Sequence, residues 1–255
     1  MISEPASREV QSVHTAFRIV GLLQDLDGAK MNELADHLDL AKSTVHNYLG
    51  TLQQLGYVVE RDGNYRLGLR FLTHGMAARH GLALGDPVRQ ALPDLARELS
   101  QPVWWVAEEQ GRGLFVERSA PGDGEPIYGR VGKRSYLHTH APGKAILARW
   151  PTDAVRDLVD HEGLPVQTRE TVTDVEAFLA TLETVRERGY ATSSGEAALG
   201  IRSIGVGFDG PMGGFHALGV FGLTHEFGGN TEERVSGVLR DAAAAIEERV
   251  GAEGA

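Results

Sequence analysis

Residues 31–71 read MNELADHLDLAKSTVHNYLGTLQQLGYVVERDGNYRLGLRF. Leu34, Ala35 and Leu38 recur at one-turn steps and predict a short helix, with Asn32 placed to cap it and Asp39-Leu40 as the turn that follows. Lys42 to Leu55 predicts a second helix. Val45, Tyr48, Leu49, Leu52 and Leu55 fall on its inward face, leaving Lys42, Ser43, Thr44, His46, Asn47 and Gly50 outside. Gly56 stops that helix. The runs Tyr57 to Arg61 and Tyr65 to Leu67 then flank Asp62-Gly63-Asn64, the signature of a tight hairpin.

Upstream, Val13, Phe17, Val20, Leu23 and Leu26 recur at three- and four-residue steps, so one helix with a single apolar stripe is expected before Asp27-Gly28. Three helices followed by a β-hairpin is the order of a winged helix-turn-helix, expected here over residues 9–70. A helix suits the major groove when its outer face carries short hydrogen-bonding side chains near its N-terminus. Lys42, Ser43, Thr44, His46 and Asn47 meet that requirement, and Arg61 and Arg66 on the wing are placed to reach the DNA backbone or minor groove. Taken alone, such a face also suits a solvated surface; the helix-turn-helix order followed by a wing favours DNA. A small-molecule-binding adaptor that uses the winged helix for protein contacts is the competing reading.

Mixed polarity and frequent small residues over 71–85 suggest a linker helix. Residues 86–250 form the larger domain. Asp86-Pro87 restarts a helix there, as N-cap and first helical residue, with Val88, Leu92, Leu95 and Leu99 on one face and Pro93 as a kink or a late start. Strands are expected at Pro102 to Glu109, Gly113 to Arg118 and Ile127 to Val131. Helices follow at Ala141 to Trp150, Thr152 to His161 and Thr173 to Arg188, the last opened by a capping box of Thr173 and Glu176. Strands return near Tyr190, at Ile201 to Asp209 and at Phe215 to Leu223, before a final helix from Thr231 to about Val250. Grouped strands and helices without strict alternation indicate an α+β fold with an antiparallel sheet.

The 255 residues carry a net charge of −10, no cysteine, and four lysines against 21 arginines. The absence of cysteine excludes disulfides, thiolate metal sites and cysteine nucleophiles. No apolar run approaches the roughly 18 residues of a membrane span, and the N-terminus lacks the basic-then-apolar order of a signal peptide, so a cytoplasmic location is expected. Acidity combined with scarce lysine suits a halophile, although a GC-rich genome would also favour arginine. Residues 1–75 hold seven Lys or Arg against nine Asp or Glu, so phosphate neutralisation contributes little to DNA binding and base contacts must contribute more.

No catalytic constellation stands out. Gly129-Arg130-Val131-Gly132-Lys133 lacks the spacing of a phosphate loop, and Ser193-Ser194-Gly195-Glu196 lacks the nucleophile elbow. Neither an enzyme nor a cofactor is expected. His138 and His140, two apart, share one face if they lie on a strand, and His216 and His225 are candidates to join them around a metal; paired histidines alone do not define a metal site, and none is assigned. Trp104 and Trp105, adjacent on a strand, must face opposite sides; one is expected in the core and the other at the edge of a cavity or an interface, with the core the favoured place for either.

The stretch around Lys42-Ser43-Thr44-Val45-His46 with Leu55-Gly56-Tyr57, the wing RDGNYRLGLRF, and the segments LHTHAPGKAILA (137–148) and GYATSSGEAALGIRS (189–203) resemble the IclR family of transcriptional regulators. The resemblance implies a double-stranded DNA operator, a homodimer or homotetramer with winged domains swapped or paired near the linker helix, and a GAF-like effector domain that binds a small metabolite such as a sugar acid, a keto acid, an aromatic acid or another organic acid. It also implies an effector pocket lined by Ala141, Pro142, Ser193, Ile201, Ser203, Gly219 and Phe221. The family carries acids where Ser193, Ser194 and Gly195 stand, a cysteine at Ser203 and a serine-rich strand at Gly219-Val220-Phe221. These departures imply a pocket less repulsive to anions and either narrowed by Phe221 or offering its ring for stacking.

Overall fold

Asp62 and Gly63 both hold positive φ (52° and 76°), the conformation a two-residue hairpin needs, and the strands they join are β2 (Val58–Arg61) and β3 (Asn64–Leu67). In the computed structural model, which describes residues 9–253 other than 83, 123 and 125, and only the backbone of 85, 212 and 253, the chain divides into two compact units. Among the described residues, the first covers 9–82 and the second those from 84 to 253.

The N-terminal unit holds α1 (Gln11–Asp25), the two-residue strand β1 (Ala29–Lys30), α2 (Met31–Leu38), α3 (Lys42–Gln54), the β2–β3 wing and α4 (Arg70–His80). β1 adds to the wing by pairing antiparallel with β3, a strand the sequence pattern did not announce. The helix expected over 71–85 is α4, which falls inside this unit. Ile19, Leu23, Leu34, Val45, Leu49 and Val58 form the core.

Two local expectations change here. Helix α2 starts one residue before Asn32. Its cap is Lys30, whose backbone N–H donates to the Glu33 carboxylate at 2.8 Å. In α1 the buried stripe is Thr15, Ile19 and Leu23, while Val13 (53 %), Phe17 (64 %) and Leu26 (41 %) stay exposed. The helix carries two apolar stripes, and periodicity cannot say which one meets α2 and α3.

The C-terminal unit is a six-stranded antiparallel sheet between two helical layers. Its elements are α5 (Gly85–Leu99), β4 (Val103–Glu109), β5 (Arg112–Ser119), β6 (Arg134–Tyr136), α6 (Ala141–Leu147), α7 (Thr152–Glu162), α8 (Val175–Arg188), β7 (Ala191–Ser194), β8 (Ile201–Asp209), β9 (Phe215–Leu223) and α9 (Thr231–Glu253). The strand order is β6-β5-β4-β9-β8-β7. Alternation divides the residues between layers. Trp104, Val106, Ala217 and Phe221 meet α6, α7 and α8, whereas Val103, Trp105, Leu218 and Val220 turn toward α5 and α9. Both tryptophans are therefore core residues, one on each side of the sheet.

Helix α5 keeps Pro93 in its interior and has Leu84 as its N-cap, with Asp86 already in the first turn. Helix α8 is capped by Asp174, whose carboxylate accepts from the Ala177 N–H, rather than by Thr173. Residues 127–131 form no strand; the edge strand is β6, which pairs with β5 through Arg112, Gly113 and Leu114. Gly129 sits there at φ 85°, and a Cβ on it would lie 2.9 Å from the Phe115 ring, so this close turn replaces the expected strand. Among the described residues no helix is long and apolar enough to cross a membrane.

Candidate DNA interface and effector cleft

Lys42, Ser43, His46 and Asn47 are exposed along α3, and Thr44 is half-buried. Ala41 stands at the N-cap and offers no side-chain acceptor, so the first N–H groups of α3 are left open to an anion. On the wing, Arg61 pairs with Asn64 and Val59 with Arg66. Directly opposed residues and alternate residues of a strand share a face, so Arg61 and Arg66 project from the same side. The two exposed arginines are thus brought together, and the stem of Arg66 runs along Gly28, where a Cβ would stand 2.8 Å from its Cγ.

A second feature of this unit is an open apolar groove of about 660 Å³, bounded by Val13, Phe17, Val20, Leu55, Tyr57 and Phe71. It uses the stripe of α1 that the core leaves free. Tyr57 closes one end, with its ring 4.8 Å from Phe71 and its hydroxyl 2.6 Å from Nε2 of His74.

In the C-terminal unit, helix α6 lies almost in contact with the sheet. A Cβ on Gly205 would meet the Pro142 backbone nitrogen at 2.5 Å, and one on Gly219 would meet the Pro142 ring at 2.2 Å. Ser203 Oγ accepts from the Ala141 N–H at 3.0 Å, and Ser193 donates to the Thr139 carbonyl at 2.9 Å. Ala141, Pro142, Ser193, Ser203 and Gly219, expected to line a pocket, instead clamp the start of α6 onto β7, β8 and β9. Ile201 is half-buried against the core. Phe221 is buried in an aromatic cluster, stacked on Tyr128 at 4.9 Å and 5.6 Å from Phe115.

One cleft of this layer, of about 290 Å³, lies further out and is bordered by none of those seven residues; another, of about 280 Å³, lies among α6, α8 and β8 beside Arg149. Arg112, Lys133 and Arg134 bring positive charge to the wall of the first; Tyr128 and Tyr136 bring aromatic rings; Ser135, Thr139 and Gln167 bring polar groups. Arg112 is already paired with Glu162 and lies over the Tyr136 ring. Lys133 has its ammonium 3.7 Å from the centre of the Tyr128 ring. Burial first, and Arg130 second, push the Lys133 pKa down. Desolvation raises the Tyr128 phenol to about 12. No sequence pattern singles out these residues, and the 129–133 segment is legible only as a failed phosphate loop. The available signal was Lys133 itself, one of four lysines in an acidic chain, flanked by Arg130 and Arg134.

Three of the four histidines considered as metal ligands, His138, His140 and His216, are held by other partners, and His225 is exposed. His140 Nδ1 accepts from the Gly143 N–H, which puts its proton on Nε2, directed at Ser135 Oγ 2.7 Å away; Ser135 in turn donates to the Gly113 carbonyl. His138 Nε2 meets the Pro165 carbonyl, and His216 Nδ1 accepts from the Trp105 indole at 3.3 Å. Burial lowers the pKa of His138 and His216 to about 4 and of His140 to about 3. No three His, Asp or Glu side chains gather as metal ligands among the described residues.

The model for the C-terminal domain of the bacterial transcriptional regulator IclR matches residues 76–248, and the IclR helix-turn-helix model matches residues 12–62. The chain belongs to the IclR family. Its members are transcriptional regulators rather than enzymes, and this IclR-family protein shares 32 % identity over 204 residues with the probable HTH-type transcriptional regulator ArcR of Halobacterium salinarum, covering 78 % of this chain and 77 % of the relative. The crystal structure of an IclR regulator from Alicyclobacillus acidocaldarius superposes with a TM-score of 0.80 at 26 % identity, covering 94 % and 99 % of the two chains. An IclR homologue from Microbacterium hydrocarbonoxydans, crystallised with 4-hydroxybenzoate, has the same fold at a TM-score of 0.76 and 21 % identity, covering 93 % and 99 %.

Proposed function

We propose that this IclR-family protein is a sequence-specific regulator whose occupancy of a double-stranded operator is set by a small organic acid bound in the C-terminal unit, and that it controls a catabolic operon. The cationic cleft carries this reading. In a chain of net charge −10, Lys133 and Arg134 border the cleft, and among the described residues neither is in an ion pair, whereas Arg112 beside them is held by Glu162. An acid that binds one arrangement of the protein more tightly than another shifts the population toward it, and DNA affinity follows. The homologue crystallised with 4-hydroxybenzoate supports an acid as the ligand class. Such a regulator works where the DNA is, in the cytoplasm.

On DNA, Asn47 is assigned to base edges, Lys42, Ser43, Thr44 and His46 to bases and phosphates, and Arg61 and Arg66 to the backbone or minor groove. The apolar groove of the winged-helix unit is assigned to a second copy of the chain. Pairing two weakly basic modules on one operator multiplies their modest affinities.

A mobility-shift assay on the upstream region of the protein's own gene tests the reading, with Asn47→Ala, Lys42→Ala and a panel of keto, sugar and aromatic acids. Both substitutions weaken the complex and at least one acid changes its midpoint. Undiminished binding by both variants removes the recognition helix, and a midpoint indifferent to every acid removes the effector.

A further inference from the structure

The two-residue strand β1 changes what the wing presents. Lys30 and Arg61 are each paired directly with Asn64, from opposite sides of the central strand β3, so Lys30, Asn64 and Arg61 form one row across the sheet. Arg66 lies two residues along β3 and projects from the same face, beside Val59. The other face carries Ala29, Val58, Tyr65 and Leu67 against the core of the unit, which leaves the row on the outer surface. Lys30, Arg61 and Arg66 are exposed and Asn64 is half-buried. Among the described residues none of their side chains has an ion pair or a hydrogen bond.

This face thus gathers three of the seven Lys and Arg residues of 1–75 and holds no acid. Glu60 is paired with Tyr65 on the inner side, and Glu33 is held by the backbone N–H of Lys30. Asp62 occupies the turn just beyond the row. Positive charge therefore collects at the tip of the wing in an otherwise acidic unit, and such a face fits a polyanion.

The spacing of the row says which part of a duplex it fits. Neighbouring strands lie about 4.8 Å apart, so the Lys30 and Arg61 backbones stand roughly 10 Å from each other with Asn64 midway. A minor groove is about 6 Å wide between its two phosphate walls. Long cations on the flanks of the row reach both walls, and the amide between them reaches the floor. There A·T pairs offer only acceptors to an amide N–H, whereas guanine adds an amino donor that competes with it. A·T tracts also narrow the groove and deepen its negative potential.

We propose that the wing tip straddles a minor groove, with Lys30 and Arg61 on opposite phosphate walls, Asn64 on the edges of A·T pairs and Arg66 on a neighbouring phosphate. The proposal rests on the reading of the N-terminal unit as DNA-binding. It adds Lys30, Asn64 and a base preference outside the site read by α3.

Selection of duplexes from a randomised library by the full chain, then fluorescence anisotropy on one selected duplex, tests it. A short A·T stretch emerges beside the site read by α3. Replacing its pairs with inosine·cytosine, which keeps the minor-groove acceptors and alters the major groove, leaves affinity within about twofold, whereas G·C lowers it about tenfold or more. Lys30→Gln keeps the backbone N–H that Glu33 holds; it weakens binding about threefold or more and flattens the log–log salt slope by about one. Asn64→Val, suited to a strand, abolishes the distinction between inosine·cytosine and G·C. Equal losses with both replacements, or none with either, overturn the minor groove. Unchanged affinity and slope in Lys30→Gln overturns the straddling row, and discrimination retained by Asn64→Val overturns the floor contact. A chain that enriches no sequence fails as a DNA-binding protein, whereas one that enriches a site and ignores these changes keeps that function and loses only the wing proposal.

Discussion

Lys144 Nζ lies 2.6 Å from Oε1 of Glu196, a residue 52 positions further along the chain, and their side chains are only 3 % and 9 % exposed. Burial pushes the lysine pKa down and the glutamate holds it up, while the second carboxylate oxygen of Glu196 has no partner. The pair ties α6 to the loop after β7, one element away from the cationic cleft, which Ala197 borders. Glu196→Ala strands a buried ammonium and is expected to cost about 3–5 kcal/mol in urea unfolding. Lys144→Met in the same chain recovers most of that loss. A double variant no more stable than Glu196→Ala would mean that the carboxylate acts by some route other than the lysine.

Helix α1 offers a test of which stripe is core. Ile19 is fully buried and Phe17 is 64 % exposed. Ile19→Ala should lower stability by about 2–5 kcal/mol. Phe17→Ser should stay within about 0.5 kcal/mol for the monomer while weakening self-association in sedimentation velocity. A large stability loss at Phe17 with none at Ile19 would restore the stripe expected from periodicity.

DNA binding by so acidic a module should depend only weakly on salt. With seven cationic residues in 1–75, of which Lys42, Arg61 and Arg66 are placed toward DNA, the slope of log affinity against log salt is expected to be shallow, on the order of −3 per winged-helix unit. Lys42→Ala should flatten it by about one and weaken all sequences alike, whereas Asn47→Ala should leave the slope and relax base preference. Fluorescence anisotropy across a salt series reads both.

Acid should unfold the C-terminal unit through its histidines. His138, His140 and His216 are neutral in the fold, with pKa values lowered to about 4, 3 and 4. In the unfolded chain each takes a proton near pH 6.5. Between those values the unfolded state binds more protons, so stability falls as pH falls, by at most about 1.4 kcal/mol per pH unit for each histidine. Stability is held above pH 6.5 and lost on the way to pH 4. Urea midpoints at several pH values check this, and a flat profile over that window would contradict it.

Much of the winged helix was legible in the sequence. The α3 periodicity and the Asp62-Gly63 turn are local, and each acts through neighbours within four residues. The exceptions were also local in origin. Asn32 lost the cap to Lys30 because Glu33 reaches back to the preceding N–H, and α1 carried two apolar stripes of which only packing could choose one. In the larger unit most strands and helices could be placed by pattern, whereas the close packing of the residues named by resemblance could not. Pro142, Gly205 and Gly219 bring α6 and the sheet into contact, and Phe221, Tyr128 and Phe115 close the space beside them.

From its sequence alone the chain determined a helix-turn-helix with a wing, an antiparallel α+β second unit and the face that α3 turns outward, because hydrogen-bond periodicity and turn stereochemistry act over a few residues. Tertiary structure alone decided that Lys133 would stand over Tyr128, that Lys144 would find Glu196, and that the cleft would open among Arg112, Arg134 and Gln167 rather than beneath α6. Those groups come from separate segments, and their charges and rings acquire meaning only when the sheet and helices exclude water and set them side by side.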